Sequence, residues 1–366
     1  MIRKKQNINE SIGITGSFWE KLQWDAANKG VPIHGHFELT PTCNLKCKMC
    51  YIQLEKSEEI KRNMLLLDDW KKIIDDAICE GMIFSSLTGG ECLTNPLFKE
   101  IYLYLQSKGI MIFVLTNGVL LDKWIDFFVQ NPPKLVQISI YGKDEDTYER
   151  VTGFRMHEKV RNNIELAIKN QIPICINITP SRYLTDVYDI AKYYMNKNVS
   201  VSLNQYLINP KKNTGRDIND FDLSIEERIR VSTDFYKAIN GVEPIRQRTK
   251  KILLEKKVEN KFQNQGLKCA AGRSDFTISW DGKMYMCVAI DKVTGYPLTE
   301  GFLAAWKNTN EFAQSLYTPK ECKRCNLNDI CNLCPGQHYL ENKEFKLNKN
   351  VCDETIMNLE YGIENL

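Results

Sequence analysis

Cys43, Cys47 and Cys50 stand in C-x3-C-x2-C spacing within Thr40-Pro41-Thr42-Cys43-Asn44-Leu45-Lys46-Cys47-Lys48-Met49-Cys50-Tyr51. A 4Fe-4S cluster ordinarily takes four thiolates, so a compact loop offering three leaves one iron open to an exogenous ligand. Structural zinc is the alternative reading, but it wants four closed ligands. Further on, Thr88-Gly89-Gly90-Glu91 joins two adjacent glycines to a carboxylate. The glycines let backbone approach a ligand closely, and Glu91 offers an ammonium group a charge-assisted acceptor. Alone, that tripeptide is more often a turn. A second group comprises Cys269, Cys287, Cys322, Cys325, Cys331, Cys334 and Cys352. Its two C-x2-C pairs also suit a zinc ribbon, which leaves Cys269, Cys287 and Cys352 unexplained.

The other side chains are read more plainly. Cys79 in a helix, Cys175 in an apolar strand and Cys92 after Glu91 read as small apolar fillers. His34, His36, His157 and His338 show no metal spacing, and none is assigned a catalytic role.

Composition bounds the possibilities. The chain has 366 residues, about two domains' worth, with 43% hydrophobic content for a core. A net charge of +3 compels no nucleic-acid partner. No run of about eighteen apolar residues exists to span a bilayer, and Met1 to Ser11 is polar, unlike a signal peptide. A cytoplasmic protein is expected. Thirteen cysteines would be odd as disulfides in a reducing cytosol, whereas cluster ligation explains their number and grouping.

These residues need a scaffold, and the first part of the chain alternates strand and helix patterns. Strands are expected at His36–Leu39, Phe84–Thr88, Met111–Thr116, Leu135–Tyr141, Ile174–Thr179 and Val199–Leu207. Helices are expected at Leu67–Glu80, Pro96–Lys108, Asp122–Val129, His157–Asn170, Thr185–Asn196 and Ser224–Asn240. Ser11 to Lys29 reads as a helix packing across the barrel that helps close the site. Six β-α repeats imply a parallel sheet with right-handed crossovers, an α/β barrel or partial barrel. Such barrels gather their sites at the carboxyl ends of strands. Asn209 to Asp217 is breaker-rich and reads as a loop; Lys250 to Gln265 is charged and reads as a bridge. Asp281-Gly282 between Phe276, Ile278, Trp280 and Met284, Met286 predicts a hairpin with a tight primed turn holding Cys287.

The first cysteine loop, following a strand and followed by Tyr51, resembles the radical SAM superfamily; Met49 stands where that family often has an aromatic. The resemblance implies that S-adenosylmethionine chelates the open iron through its amine and carboxylate and is split to a 5′-deoxyadenosyl radical. It selects the open, partial (β/α)6 TIM-like barrel. It makes Gly89-Gly90-Glu91 the ammonium site, although Cys92 follows where the family usually has proline. By the same resemblance, strand ends at Thr116, Asn117 and Ser139 touch the cofactor, and Arg150 lies near its carboxylate. A solvated surface residue is the other reading of Arg150. Asn177 and Thr179 face the adenosine or simply satisfy a turn.

The second cysteine group resembles the SPASM extension, which implies two auxiliary 4Fe-4S clusters and three in all. Carried over, Cys269, Cys287 and Cys334 serve the first auxiliary cluster, and Cys322, Cys325, Cys331 and Cys352 the second. No cysteine stands between Cys269 and Cys287 to complete the first set, and the final x2 spacing is commonly x3 in the family. The expected organisation is an amino-terminal extension (1–33), a core barrel (34–240), a bridge (241–268) and an auxiliary-cluster domain (269–366).

SPASM-bearing relatives mostly act on peptides or proteins, so the resemblance implies oxidative modification of a ribosomal peptide, such as a thioether or carbon-carbon crosslink. Sulfatase maturation is a weaker alternative, because Val288 stands where those enzymes carry an aspartate. A non-catalytic electron carrier is the alternative of another class. Some thirty-five residues precede the first strand, about the length of one helix and its flanks, so a leader peptide is expected to bind elsewhere or through a separate protein. Flavodoxin or ferredoxin is the expected electron donor.

Overall fold

Short apolar runs bounded by turn residues form the strands here, and their alternation with amphipathic segments sets the topology. The structure is a computed structural model describing residues 17–204, 206–208, 218, 220–241, 269–316, 320–323, 325, 327, 331, 334, 336, 347 and 349–364. The expected loop at 209–217, the bridge beyond 241 and His338 lie outside the described residues.

Helix α1 (Ser17–Lys29) precedes β1 (His34–Glu38), α2 (Glu58–Asn63) and α3 (Leu67–Cys79). There follow β2 (Phe84–Thr88), α4 (Phe98–Ser107), β3 (Met111–Thr116), α5 (Ile125–Gln130), β4 (Leu135–Ile140), α6 (Glu145–Thr152) and α7 (His157–Lys169). Then come β5 (Ile174–Ile178), α8 (Val187–Met195), β6 (Ser200–Leu203) and α9 (Ile225–Asn240). The six strands pair in parallel in sequence order, giving the expected partial barrel. Helix α3 buries Trp70, Ile73, Ile74 and Ala77, with Trp70 5.5 Å from the Phe37 ring. Cys79 falls off that stripe and is exposed, which corrects its reading as core filling. Cys92 and Cys175 are fully buried, as expected.

The sheet does not stop at β1. Strand β7 (Asp275–Ile278) pairs with β1 in parallel, His34 opposite Asp275, and β8 (Met284–Tyr285) and β9 (Val293–Gly295) add antiparallel strands. Nine strands run in the order β6-β5-β4-β3-β2-β1-β7-β8-β9. The β7–β8 turn differs from the two-residue primed form. The Ser279 N–H donates to the Lys283 carbonyl and the Gly282 N–H to the Ser279 carbonyl, so Trp280, Asp281 and Gly282 form a three-residue loop. Gly282, at φ 80°, supplies the left-handed residue such a loop needs.

Helix α1 lies against the opening residues of the strands. Its Trp19 meets Phe84 edge-on at 5.5 Å, and Trp19 and Leu22 pack on Phe84, Phe113, Leu135 and Cys175. It crosses the barrel as expected but covers the end opposite the cysteine loop, so it does not close the site. Helix α10 (Phe302–Ser315) buries Phe302 against Phe276, and its Trp306 Nε1 donates to the Gly30 carbonyl at 2.7 Å. Helix α11 (Lys349–Glu364) is tied to the barrel by Glu354, which accepts from Arg228 Nε at 3.2 Å and Tyr206 Oη at 2.8 Å.

Candidate functional site

The loop after β1 has no regular structure of its own, so its shape comes from hydrogen bonds to its neighbours. The N–H groups of Gly90 and Glu91 donate to the Thr40 and Thr42 carbonyls, and those of Lys46 and Lys48 to the Thr152 and Val151 carbonyls at the end of α6. Leu45 is fully buried beneath. Met49, 6% exposed, packs with Val151, Ile218 and Phe221. These contacts turn Cys43, Cys47 and Cys50 outward, each partly exposed.

The donor set around these sulfurs fits a cluster. The N–H groups of Leu45 and Gln53 donate to Cys43 and Cys50 Sγ at 3.4 and 3.3 Å, and Asn117 Nδ2 lies 3.5 Å from Cys43 Sγ. Such bonds tune thiolates bound to iron. Burial, then Glu91, pushes the Cys43 thiol up to about 12, so a bound cation is what would ionise it. Asn44 Nδ2 is buried with no acceptor among the described residues, an orphan suited to an anionic ligand. Among the described residues, which include all thirteen cysteines, there is no disulfide.

Gly89, Gly90 and Glu91 sit at the end of β2 as expected, but for partly different reasons. A Cβ on Gly89 would come within 2.4 Å of the Thr40 carbonyl oxygen, and one on Gly90 within 2.3 Å of that of Thr42. The glycines therefore admit the cysteine loop itself. Glu91 is 1% exposed. Its Oε1 accepts from Thr116 Oγ1 at 2.8 Å and the Leu93 N–H at 3.1 Å, and its Oε2 from the Asn117 N–H at 2.8 Å. Burial raises this carboxyl above its ordinary range, and those donors oppose the rise. Thr116 and Asn117 are thus locked to Glu91, and Asn117 also reaches Asn44 Oδ1 at 2.8 Å.

Ser139 on β4 is in register with Asn177 on β5. Asn177 Oδ1 accepts from Ser202 Oγ at 3.0 Å, and its amide donates to Thr179 Oγ1 at 3.4 Å. Arg150 is exposed on α6, its guanidinium 5.6 Å from the centre of the Tyr183 ring. Sequence reasoning missed Tyr141 and Tyr148. Burial first, and Cys47 next, raise both phenols well above their ordinary value, which places them against the loop.

The later cysteines fall into two neighbourhoods. Burial, then Cys269, pushes Cys287 up to about 12, with Cys334 adding to the effect. Cys269 is likewise pushed up to about 11 by burial, with Cys334 beside it. Cys322 is pushed up to about 11 by burial, then by Cys352, Cys331 and Cys325. Thr355 Oγ1 donates to Cys331 Sγ at 3.3 Å, and the Leu327 N–H to Cys325 Sγ at 3.4 Å. Cys269, Cys287 and Cys334 thus share one neighbourhood and Cys322, Cys325, Cys331 and Cys352 another.

The sequence also matches known domains. Residues 37–193 match the Radical SAM superfamily, and residues 269–335 match the SPASM iron-sulfur cluster-binding domain. The chain carries a radical SAM domain and a SPASM domain. It is similar to the AdoMet-dependent heme synthase of Methanosarcina barkeri, 25% identical over 321 residues, covering 82% of this chain and 89% of that one. It is also similar to the PqqA peptide cyclase of Bradyrhizobium diazoefficiens, 24% identical over 328 residues, covering 85% and 83%. Its fold is similar to anSMEcpe solved with bound AdoMet, at a TM-score of 0.68 and 20% identity, covering 91% of this chain and 98% of that one. Streptococcus suis SuiB gives a TM-score of 0.67 at 16% identity, covering 91% and 80%.

Within the radical SAM domain, Asn117 links the cysteine loop to β3. Asn117→Ala removes a hydrogen bond to Cys43 Sγ worth about 1 kcal/mol, which stabilises the reduced cluster more than the oxidised one. The expected result is a midpoint about 40 mV more negative for a one-electron couple, measured by redox titration with electron paramagnetic resonance. An unchanged midpoint would remove Asn117 from the cluster's surroundings.

One finding lies outside the cysteines. Sequence reasoning found no metal spacing among the histidines, yet His34 and His36 share a strand face beside Asp275. The Asp275 partner comes from a distant strand, so only the H-x-H pattern in β1 hinted at it. Burial, then His36, pushes His34 well below its ordinary value. Burial also lowers His36, against the pull of Asp275, and raises Asp275, against the pull of His36.

Proposed function

We propose that the chain is a radical S-adenosylmethionine enzyme that oxidatively modifies a peptide, with a thioether or carbon-carbon crosslink as the kind of product. The pairing of β7 with β1 supports it best, because it fixes the SPASM cysteines on the sheet that carries the cysteine loop. In this reading Cys43, Cys47 and Cys50 hold the first cluster. Cys269, Cys287 and Cys334 hold one auxiliary cluster, and Cys322, Cys325, Cys331 and Cys352 the other. When bound, these groups and S-adenosylmethionine supply a 5′-deoxyadenosyl radical that takes a substrate hydrogen atom and a sink for the second electron. Gly89, Gly90 and Glu91 hold the cysteine loop in place, and the Glu91 Oε2 lone pair left by the Asn117 N–H is the acceptor for the cofactor ammonium. Thr116, Asn117, Ser139, Arg150 and Asn177 line the cofactor.

The peptide assignment draws on relatives. PqqA peptide cyclase covers most of the chain, and the folds of SuiB bound to precursor peptide SuiA and of anSMEcpe bound to a Kp18Cys peptide are similar. A flavodoxin or ferredoxin supplies electrons, a separate protein presents any leader, and cysteines without disulfides among the described residues favour the cytosol. The heme synthase match over 82% of the chain favours a second reading, a porphyrin substrate. Sulfatase maturation remains the weaker peptide reading, given Val288.

Reconstituted, dithionite-reduced protein with S-adenosylmethionine is expected to bind about twelve irons and form 5′-deoxyadenosine. Full iron loading without 5′-deoxyadenosine leaves only the electron carrier; zinc in place of iron sinks both. A mass decrease in a peptide encoded beside the gene supports the first reading, and turnover of an iron porphyrin with no peptide change supports the second.

A further inference from the structure

Pairing of β1 with β7 sets His34 opposite Asp275, and His36, two positions along the strand, points to the same face. The two imidazoles stack with centroids 4.3 Å apart. One ring nitrogen from each histidine and one Asp275 oxygen lie within 4.8 Å of one another. Among the described residues no other trio of His, Cys, Asp or Glu is gathered so closely.

We propose that His34, His36 and Asp275 form a binding site for a borderline divalent cation of the zinc or iron(II) class, separate from every cysteine group. Two imidazoles and one carboxylate suit such ions, whereas magnesium and calcium prefer oxygen alone. Three protein ligands leave a coordination position open, as in catalytic zinc and non-haem iron sites. The surroundings are built for the purpose. His34 Nε2 shares a hydrogen bond with Ser86 Oγ at 2.9 Å, an outer contact that fixes the ring. Asp275 is steadied by Ser274 Oγ at 3.0 Å and by Gln23 Nε2, 3.4 and 3.3 Å from its two oxygens. The charged group that pulls on Asp275 is His36, itself one of the three proposed ligands. His34 is 6% exposed, while His36 and Asp275 keep some accessible surface through which an ion can enter.

The test uses the full chain with its iron-sulfur clusters assembled, incubated anaerobically with zinc ions and then desalted. Wild type is expected to retain about one zinc per chain with iron unchanged, as the single site implies. Zinc-edge X-ray absorption should show nitrogen and oxygen neighbours at about 2.0–2.2 Å and no sulfur shell near 2.3 Å. Asp275→Asn and His36→Gln should each lower zinc retention at least about 10-fold at unchanged iron content. No retained zinc in wild type, or a sulfur shell around it, overturns the proposal. So does retention at the wild-type level in either variant. The absorption measurement needs no variant, so a misfolded substitution cannot shield the idea.

Discussion

Cys43→Ala is expected to reduce 5′-deoxyadenosine formation to background, whereas Cys352→Ala should leave that cleavage intact and remove the modified product. The asymmetry follows from where the two thiols stand. Cys43 belongs to the loop held by the Gly90 and Glu91 N–H groups, and its sulfur already receives the Leu45 N–H and the Asn117 amide. Replacing it leaves two thiolates for a cluster that must keep one iron open, and a cubane with two open irons is not retained. Cys352 lies on α11, in the neighbourhood of Cys322, Cys325 and Cys331. Iron content distinguishes the outcomes: Cys43→Ala should hold about eight irons against about twelve for wild type, whereas Cys352→Ala, which keeps three thiolates in its set, should hold more than about eight. Equal loss of cleavage in both variants would contradict the division of roles.

Gly90→Ala should act like a loss of the first cluster without touching a ligand. The new methyl would lie 2.3 Å from the Thr42 carbonyl oxygen and 2.6 Å from its carbon. Both are backbone atoms, so no side-chain rotation relieves the clash, and Thr42 immediately precedes Cys43. Overpacking of this kind costs about 3 kcal/mol, enough to displace the loop. The expected outcome is loss of about four irons and of S-adenosylmethionine cleavage. Gly109→Ala is the control for a glycine substitution that destabilises without a clash. Gly109 has φ 75°, and a methyl there would meet nothing within 4 Å, so the substitution carries backbone strain of about 1–2 kcal/mol and no clash. If the two variants lose iron alike, general destabilisation of the fold rather than loop packing explains the Gly90 result.

The six parallel strands and their crossover helices were legible because each is bounded by breakers and carries a local period. The cysteine spacings were legible for the same reason. What escaped is non-local. Local periodicity says nothing about β7 joining β1, so the His34–His36–Asp275 grouping was invisible, and β1 looked shorter because its inward residues are polar. Gly89 and Gly90 were read against a ligand, yet their nearest constraint is Thr40 and Thr42 carbonyl oxygen. Cys79 was misplaced because a helix stripe is narrow, and two positions beyond Ala77 the chain already faces water.

The β1–β7 ladder also bears on synthesis at the ribosome. Gln23 and Asp275 touch across 252 positions, and β1 emerges long before its second neighbour. Until β7 arrives, β1 presents an unpaired edge, and long-range pairing of this kind forms slowly. Nascent chains halted before residue 275 should therefore need chaperone cover, and protease resistance at His34–Glu38 should appear only once β7 has emerged.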